Sequence, residues 1–158
     1  MKSHTIKSYA KVNVGLQILN QRPDGYHNIN TVFQELNIYD TIVLKKKDSG
    51  CEFHSNVDWL RNDSTNLCVF AFEKFSKEYD IGGVSINLVK QIPRGGGLGG
   101  GSSNAAGILK GLCHLYSIDP TYERLSKIAL TLGADVPFFR LCTLALCRRR
   151  ASLSPCHR

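Results

Sequence analysis

The order of the predicted secondary-structure elements indicates an α+β fold. The first third of the chain alternates between apolar and polar residues, which is typical of half-buried β-strands. The remainder contains three helical patterns and one more strand, and six glycines in seven positions join that strand to the second helix. Strands that come first, followed by a mixture of helices and strands, favour an α+β domain over a regular strand–helix alternation.

The composition fits one globular domain with an unusual end. The 158 residues are 42% hydrophobic and 21% charged, and no window is apolar enough for a membrane span. Residues 140–158 hold five arginines and no acidic residue, so the first 139 residues carry 15 basic and 13 acidic groups and are nearly neutral. We therefore expect a domain over residues 1–139 and an atypical Cys- and Arg-rich tail over residues 140–158.

Cysteine spacing and the N-terminal sequence indicate the cellular compartment of the protein. The six cysteines have no CxxC spacing, which argues against a zinc site or a disulfide framework. The N-terminus has no signal-peptide pattern. The sequence therefore predicts a cytoplasmic protein, or a plastid-stroma protein if the source organism has plastids, with no membrane partner.

The first predicted strand carries two polar residues that face the same way. The alternation over residues 11–18 places Lys11 and Asn13 together on one face. We expect the opposite face to be buried, because it consists of apolar side chains: Val12, Val14, Leu16 and Ile18.

Further strands are expected before and after the first helix. Residues 22–25 predict a turn, since proline fixes φ and Asp-Gly tolerates a reversal. Residues 30–44 predict one or two strands, broken near residues 37–40, and residues 51–54 predict a short strand. The clearest later strand covers residues 84–89 and leads into the glycine-rich segment.

Capping residues predict where the three helices begin and end. The first helix ends near residue 79, the second covers residues 104–116, and the third ends at residue 132, before Gly133. The predicted N-terminal caps are the pair Asp63-Ser64, either Ser102 or Ser103, and Asp119, which is followed by proline.

The glycine-rich segment, residues 93–101 and called the glycine loop below, predicts a phosphate-binding site. Glycine adopts positive φ readily, so consecutive N–H groups can converge on an anion, and the following helix adds its N-terminal N–H groups. A flexible linker is a weaker interpretation, because this segment passes directly from a strand pattern into a helix pattern. A dinucleotide-binding GxGxxG motif stays possible but weak, and a P-loop is excluded because the Gly-Lys-Ser/Thr ending is missing.

The sequence resembles the GHMP small-molecule kinases, which include galactokinase, homoserine kinase, mevalonate kinase and phosphomevalonate kinase. The matching motifs lie at residues 10–16, 22–27, 95–106 and 133–139. The resemblance extends over residues 6–139 and implies a mixed β-sheet of the type found in domain 2 of ribosomal protein S5. It also implies ATP-dependent phosphorylation of an alcohol group, here on a cytidine-diphosphate sugar alcohol of isoprenoid-precursor synthesis.

The resemblance implies a role for each matching residue. Asp135 would take or orient the substrate hydroxyl proton, and Lys11 would pair with Asp135 and the transferring phosphate. The residues implied to bind ATP are Asn66, Lys90, Pro93, Gly95, Gly96, Gly97, Leu98, Gly99, Gly100, Gly101, Ser102 and Ser103. Those implied to bind the substrate are Asn13, Tyr26 and His27, with the tyrosine stacked on cytosine and the histidine bonded to its edge. Mg²⁺ is implied by the chemistry, but no acidic ligand cluster can be identified in the sequence.

Without the resemblance, the same residues have simpler interpretations. Lys11 could be a strand lysine whose stem lies along apolar surface, and Asp135 could be an ordinary loop acid. Tyr26 and His27 could be an edge-strand aromatic residue and a surface histidine. The functional interpretation therefore depends on whether the fold brings Lys11, Asp135 and the glycine loop together.

The sequence departs from the family pattern after Phe139. Family members are longer and have a second, C-terminal domain that is not recognisable here, so we expect a truncated or frameshifted product with weak or no activity. The surface that the missing domain would cover predicts possible self-association. A non-catalytic nucleotide-binding fragment and a dinucleotide-binding oxidoreductase domain stay open as alternatives, and no nucleic-acid partner is expected.

Overall fold

The computed structural model describes residues 2–21 and 27–139, with the side chains of all of these except residues 27–29. Within this part of the chain, the strands are β1 (Ser3–Gln21), β2 (His27–Lys47), β3 (Cys51–Ser55) and β4 (Gly83–Val89). The helices are α1 (Leu67–Glu78), α2 (Gly100–Tyr116) and α3 (Tyr122–Leu132), followed by a 3₁₀ turn at Val136–Phe138.

The described strands form one mixed sheet in the order β1-β2-β4-β3. The β1–β2 and β2–β4 pairs are antiparallel, whereas β3 and β4 are parallel and are connected through α1. Parallel neighbours need such a crossover, while antiparallel neighbours can follow each other directly. The predicted α+β fold with a mixed sheet is confirmed.

The core lies between the sheet and the helices, and α2 packs closely on β1 and β2. A Cβ atom at Gly107 would lie 2.5 Å from Ser8 Oγ, and one at Gly111 would lie 2.5 Å from Leu44 Cδ1. Glycine at these two positions therefore allows α2 to approach the sheet. Fully buried side chains of this core include Ile42, Leu44, Phe75, Ile86, Leu88, Ile108, Leu109, Leu112 and Leu115.

The predicted break near residues 37–40 is wrong, because β2 runs through these residues. The strand is continuous, and the irregularity is a register shift: Tyr9 pairs with Tyr39, whereas Lys11 pairs with Glu35. A bulge of this kind adds residues to one strand without ending it. Asp40, at the end of the predicted break, is fully buried in the strand.

The prediction of a buried apolar face on the first strand is wrong. Val14 is 53% exposed and Ile18 is 66% exposed, whereas Lys11 is only 4% exposed. The reason is the position of the helices: α2 covers the part of β1 around Ser8 and Ile6, while the segment beyond Asn13 pairs mainly with β2. The alternation identified a strand but could not identify which face the helices cover.

The three predicted helix starts also need correction. Helix α1 is capped by Asn66, whose Oδ1 accepts from Cys68 N at 3.0 Å, while Asp63 instead accepts from Thr65 N. Helix α3 is capped by Thr121 rather than Asp119. Its end at Leu132, before Gly133, is confirmed.

Helix α2 begins at Gly100, earlier than predicted, and neither Ser102 nor Ser103 caps it. Its N-cap is Gly99, whose φ of 68° and lack of a side chain allow the chain to enter the helix from the left-handed region. No helix in the described part of the chain is long and apolar enough to cross a membrane.

Candidate active site

The glycine loop connects β4 to α2 and has a backbone that depends on glycine. Gly95, Gly97 and Gly99 have φ values of 80°, 68° and 68°, in the region that side chains disfavour. The loop ends at the N-terminus of α2, where the first helical N–H groups lack partners within the helix. This backbone can therefore surround an anion in the way predicted from the sequence.

The glycine loop lines a cleft of about 390 Å³, a size within the range of small-molecule sites. The opposite lining comes from the β3–α1 connection and the start of α1, through Trp59, Leu60, Thr65, Asn66, Leu67 and Cys68. Lys90, Ser102 and Asn104 complete it. The cleft therefore combines a glycine backbone with apolar and aromatic side chains.

Lys11 connects β1, the glycine loop and the turn that carries Asp135. Its Nζ donates to Asn13 Oδ1 at 2.6 Å and to Gly97 O at 3.2 Å, and lies 3.6 Å from Asp135 Oδ2. Its backbone N–H donates to Leu98 O at 2.9 Å. The prediction that Lys11 and Asn13 face the same way is confirmed, and the ammonium group lies between the loop and a carboxylate.

Asp135 is held beside Lys11 by a turn and by aromatic packing. It directly precedes the 3₁₀ turn, and its carbonyl accepts from Phe138 N at 3.2 Å. The Phe138 ring lies 4.5 Å from the Phe33 ring of β2, between centroids. The Asp135 side chain is 31% exposed, compared with 5% for Lys11, so the carboxylate is accessible while the ammonium is covered.

A buried network that the sequence did not predict fixes the base of the glycine loop. Asp40 Oδ2 accepts from Lys90 Nζ and from Asn104 Nδ2, the latter at 2.9 Å. Asp40 Oδ1 accepts from the backbone N–H groups of Gln91 and Ile92 at 2.7 and 2.8 Å. One carboxylate thus holds together β2, the end of β4 and the first turns of α2.

Known proteins match this arrangement in sequence and in structure. A family model described as the GHMP kinases N terminal domain matches residues 66–142. A 4-diphosphocytidyl-2-C-methyl-D-erythritol kinase of Chlorobaculum tepidum is 43% identical over 140 residues, which are 88% of this chain and 49% of the relative. The chain belongs to the GHMP kinases through their N-terminal domain.

Solved structures of kinases have a fold similar to that of this chain. One 4-(cytidine 5'-diphospho)-2C-methyl-D-erythritol kinase has a TM-score of 0.74 and 39% sequence identity, over 86% of this chain and 48% of that one. The mevalonate kinase of Methanococcus jannaschii shares the fold with a TM-score of 0.59, at 19% identity, over 83% of this chain and 46% of that one. This chain spans about half the length of the curated relatives it matches.

In this GHMP kinase domain, two residues predicted to bind ATP also have structural partners. Asn66 caps α1 and donates to Arg61 O at 3.0 Å, and Lys90 is paired with Asp40 and Asn104. Both residues line the cleft, so their side chains are positioned by the fold before any ligand is considered. Burial raises the pKa of the neighbouring Cys68 thiol to about 12, so this thiol stays protonated at neutral pH.

The remaining predicted site residues fall into three sets. Pro93, Leu98 and Ser102 line the cleft, whereas Ser103 is buried in the first turns of α2. Tyr26 lies outside the described residues, and His27 is described only by its backbone, which pairs with Gln21.

Among residues 2–21 and 27–139, no three His, Cys, Asp or Glu side chains are grouped to hold a metal ion.

We expect two glycine substitutions in the loop to differ in their effect on stability. Gly95→Ala introduces only backbone strain, since nothing lies within 4 Å of the added Cβ, and should lower the free energy of unfolding by about 1–2 kcal/mol. Gly99→Ala adds contacts of 3.0 Å to Phe139 Cζ and 3.1 Å to Lys11 Cε, and should cost about 1–3 kcal/mol more. Urea denaturation of both variants measures the difference, and equal losses would contradict the close packing around Gly99.

Proposed function

We propose that this chain takes part in the ATP-dependent phosphorylation of the 2-hydroxyl group of 4-diphosphocytidyl-2-C-methyl-D-erythritol, in the non-mevalonate route to isoprenoid precursors. The observation that carries the proposal is the position of Lys11, which contacts the glycine loop and lies 3.6 Å from Asp135. Phosphoryl transfer needs a phosphate cradle, a cation and a group that orients the attacking hydroxyl. Relatives at about 40% identity carry the name of this activity.

The glycine loop would hold the ATP phosphates. Backbone N–H groups of the loop and the N-terminal end of α2 supply hydrogen bonds and a positive dipole without bringing in side chains. Ser102 lines the cleft in the first turn of α2 and is the side chain that would reach the phosphates or a bound Mg²⁺. When bound, Mg²⁺ neutralises charge on the phosphates, and it commonly takes most of its ligands from phosphates and water, which fits the few acidic residues here.

Asp135 and Lys11 would act on the reacting atoms. The substrate hydroxyl oxygen forms a bond to the γ-phosphorus as the bond to the β-phosphate oxygen breaks, and ADP leaves. Asp135 orients this hydroxyl and accepts its proton, which later passes to water. The Lys11 ammonium, fixed by Asn13 and Gly97, stabilises charge on the transferring phosphoryl group.

The substrate end of the site would be formed around β1 and the residues between β1 and β2. Asn13 lies beside the Lys11 ammonium and would contact the substrate near its reacting hydroxyl. We assign Tyr26 to stacking on the cytosine ring and His27 to hydrogen bonding at the edge of that ring.

A phosphoryl-transfer assay on the purified 158-residue chain tests the proposed function. The chain is incubated with ATP, Mg²⁺ and 4-diphosphocytidyl-2-C-methyl-D-erythritol, with homoserine and mevalonate as control alcohols, and products are followed by phosphorus NMR. We expect weak phosphorylation of the cytidine-containing alcohol and none of the control alcohols. Transfer to a control alcohol at an equal rate would contradict the proposed substrate.

A non-catalytic nucleotide-binding role is the second candidate, because the chain spans about half of the length of its relatives. Calorimetric titration with ATP and with NAD separates the possibilities. ATP binding without transfer would favour this second role, and NAD binding in place of ATP would overturn both candidates.

A further inference from the structure

A second cavity, of about 880 Å³, lies between the start of β1 and the C-terminal end of α2. Its volume is within the range of small-molecule sites. Within the described part of the chain, it shares no lining residue with the cleft of the glycine loop. We call this cavity the basic groove, after the basic residues that line it: Lys2, His4, Lys7, Lys110 and His114.

The charges around the basic groove are mainly positive. Three lysines and two histidines line it, whereas Asp119 is the single acidic residue in its described lining. Lys2 Nζ donates to Ser117 Oγ at 3.4 Å, and Lys7 Nζ lies 4.5 Å from the centroid of the Tyr39 ring. Because these two ammonium groups contact a hydroxyl and a ring rather than a carboxylate, their charge can attract an anion into the groove.

Two stacked histidine rings belong to the wall of the basic groove. The ring centroids of His4 and His114 are 4.0 Å apart, with an angle of 27° between the planes. Burial, and in addition the neighbouring His114, lower the pKa of His4 below its usual value. The other titratable groups that line the groove are Lys2, Lys7, Lys110, Cys113 and Asp119. An anion beside the rings would favour the protonated imidazole and raise the pKa of His4.

The floor of the basic groove is apolar. Ile6 and Ile118 are partly buried against the core, Leu125 is buried, and all three line the groove. The described lining contains no Phe, Tyr or Trp ring on which a nucleobase would stack. An apolar floor below basic side chains therefore fits an anion that carries an aliphatic group better than it fits a nucleotide or a bare inorganic ion.

We propose that the basic groove binds a small aliphatic phosphate or diphosphate ester. The aliphatic group lies on the floor formed by Ile6, Ile118 and Leu125, and the phosphates contact the lysine and histidine side chains. This inference goes beyond the proposed function and does not rest on it, because Lys11, Asp135 and the glycine loop lie outside the groove.

Proton NMR of the histidine rings detects a ligand in the groove, because His4 and His114 line it while His54 lies on β3. The purified 158-residue chain is titrated with n-pentyl diphosphate and with inorganic pyrophosphate at constant ionic strength, after each ring resonance has been assigned by substitution. We expect n-pentyl diphosphate to shift the His4 and His114 resonances to saturation, to leave His54 unchanged, and to raise the pH midpoint of the His4 titration. Pyrophosphate should bind roughly tenfold more weakly, the effect of losing about two buried CH₂ groups.

Two double variants test the basic side chains. Lys2→Met with His114→Gln should weaken the binding of n-pentyl diphosphate roughly 5- to 30-fold, with the His4 resonance as the reporter. Lys47→Met with His54→Gln is the matched control, because it replaces the same residue types where they pair with Glu52, away from the groove. All four replaced side chains are exposed, so both variants should fold, and the control should bind as tightly as the unchanged chain.

Three results would overturn this inference. The first is that n-pentyl diphosphate leaves the His4 and His114 resonances unmoved. The second is equal affinity of the two double variants, which would indicate a general attraction of anions to a basic chain. The third is equal affinity for pyrophosphate and n-pentyl diphosphate, which would exclude the apolar floor from the site. None of them bears on the kinase proposal, which the phosphoryl-transfer assay tests separately.

Discussion

Replacing Asp40 with alanine is expected to lower the free energy of unfolding by about 3–5 kcal/mol. Asp40 is fully buried, and its carboxylate accepts from Lys90, from Asn104 and from the backbone N–H groups of Gln91 and Ile92. The substitution leaves a buried ammonium without its counter-charge and the other donors without an acceptor. Equilibrium urea denaturation followed by circular dichroism measures the loss.

Two further variants test the reason for this loss. Glu52→Ala removes the carboxylate of another ion pair, with Lys47 at 2.6 Å, but both side chains are more than 40% exposed and no measurable change is expected. Asp40→Ala combined with Lys90→Met removes the buried charge as well, and should recover part of the stability. Recovery cannot be complete, because the two backbone donors and Asn104 stay without a partner. A double variant as unstable as Asp40→Ala alone would show that the unpaired ammonium is not the cause.

The same network links stability to the site. Gln91 and Ile92 immediately precede the glycine loop, and Asn104 lies in α2 just after it, so Asp40 fixes both ends of the phosphate cradle. Variants of Asp40 that still fold should therefore bind ATP more weakly than the unchanged chain, although the carboxylate itself does not line the cleft.

Local patterns were sufficient to predict the fold class and the glycine loop. A strand–loop–helix unit can be identified from the sequence alone, because β4, the glycine loop and the apolar residues of α2 follow one another directly along the chain. The end of α3 followed from Gly133. Helix starts were less predictable, because several polar residues compete for each cap: Thr121 was preferred over Asp119, and Asn66 over Asp63.

Contacts between distant segments were not predictable from the same patterns. A lone acid in β2 gave no indication of its partner, since Asp40 and Lys90 are 50 residues apart. The burial of Lys11 and the exposure of Val14 and Ile18 depend on where the helices lie on the sheet, which alternation does not encode. A useful signal was nevertheless present: one carboxylate within a strand of apolar residues requires a buried partner.

Replacing Asp135 with asparagine is expected to reduce the rate of phosphoryl transfer by about 10²–10⁴-fold, the usual contribution of a general base. Asparagine has nearly the same shape, so it can still occupy the turn before Val136, but it cannot accept the proton of the hydroxyl. ATP affinity should change little, because the glycine loop and Lys90 are untouched. The measurements are the initial rate at saturating substrates and calorimetric ATP binding.

Asp119→Asn is the matched control for Asp135, because Asp119 is an exposed acid in the loop before α3 and lines a different pocket, which contains neither Lys11 nor the glycine loop. It should retain the full rate. If Asp135→Asn lowers the apparent affinity for the alcohol and leaves the maximal rate unchanged, Asp135 orients the substrate without accepting its proton. In that case the ammonium of Lys11, held by Asn13 and Gly97, would carry the charge stabilisation, and Lys11→Met would give the larger loss of rate.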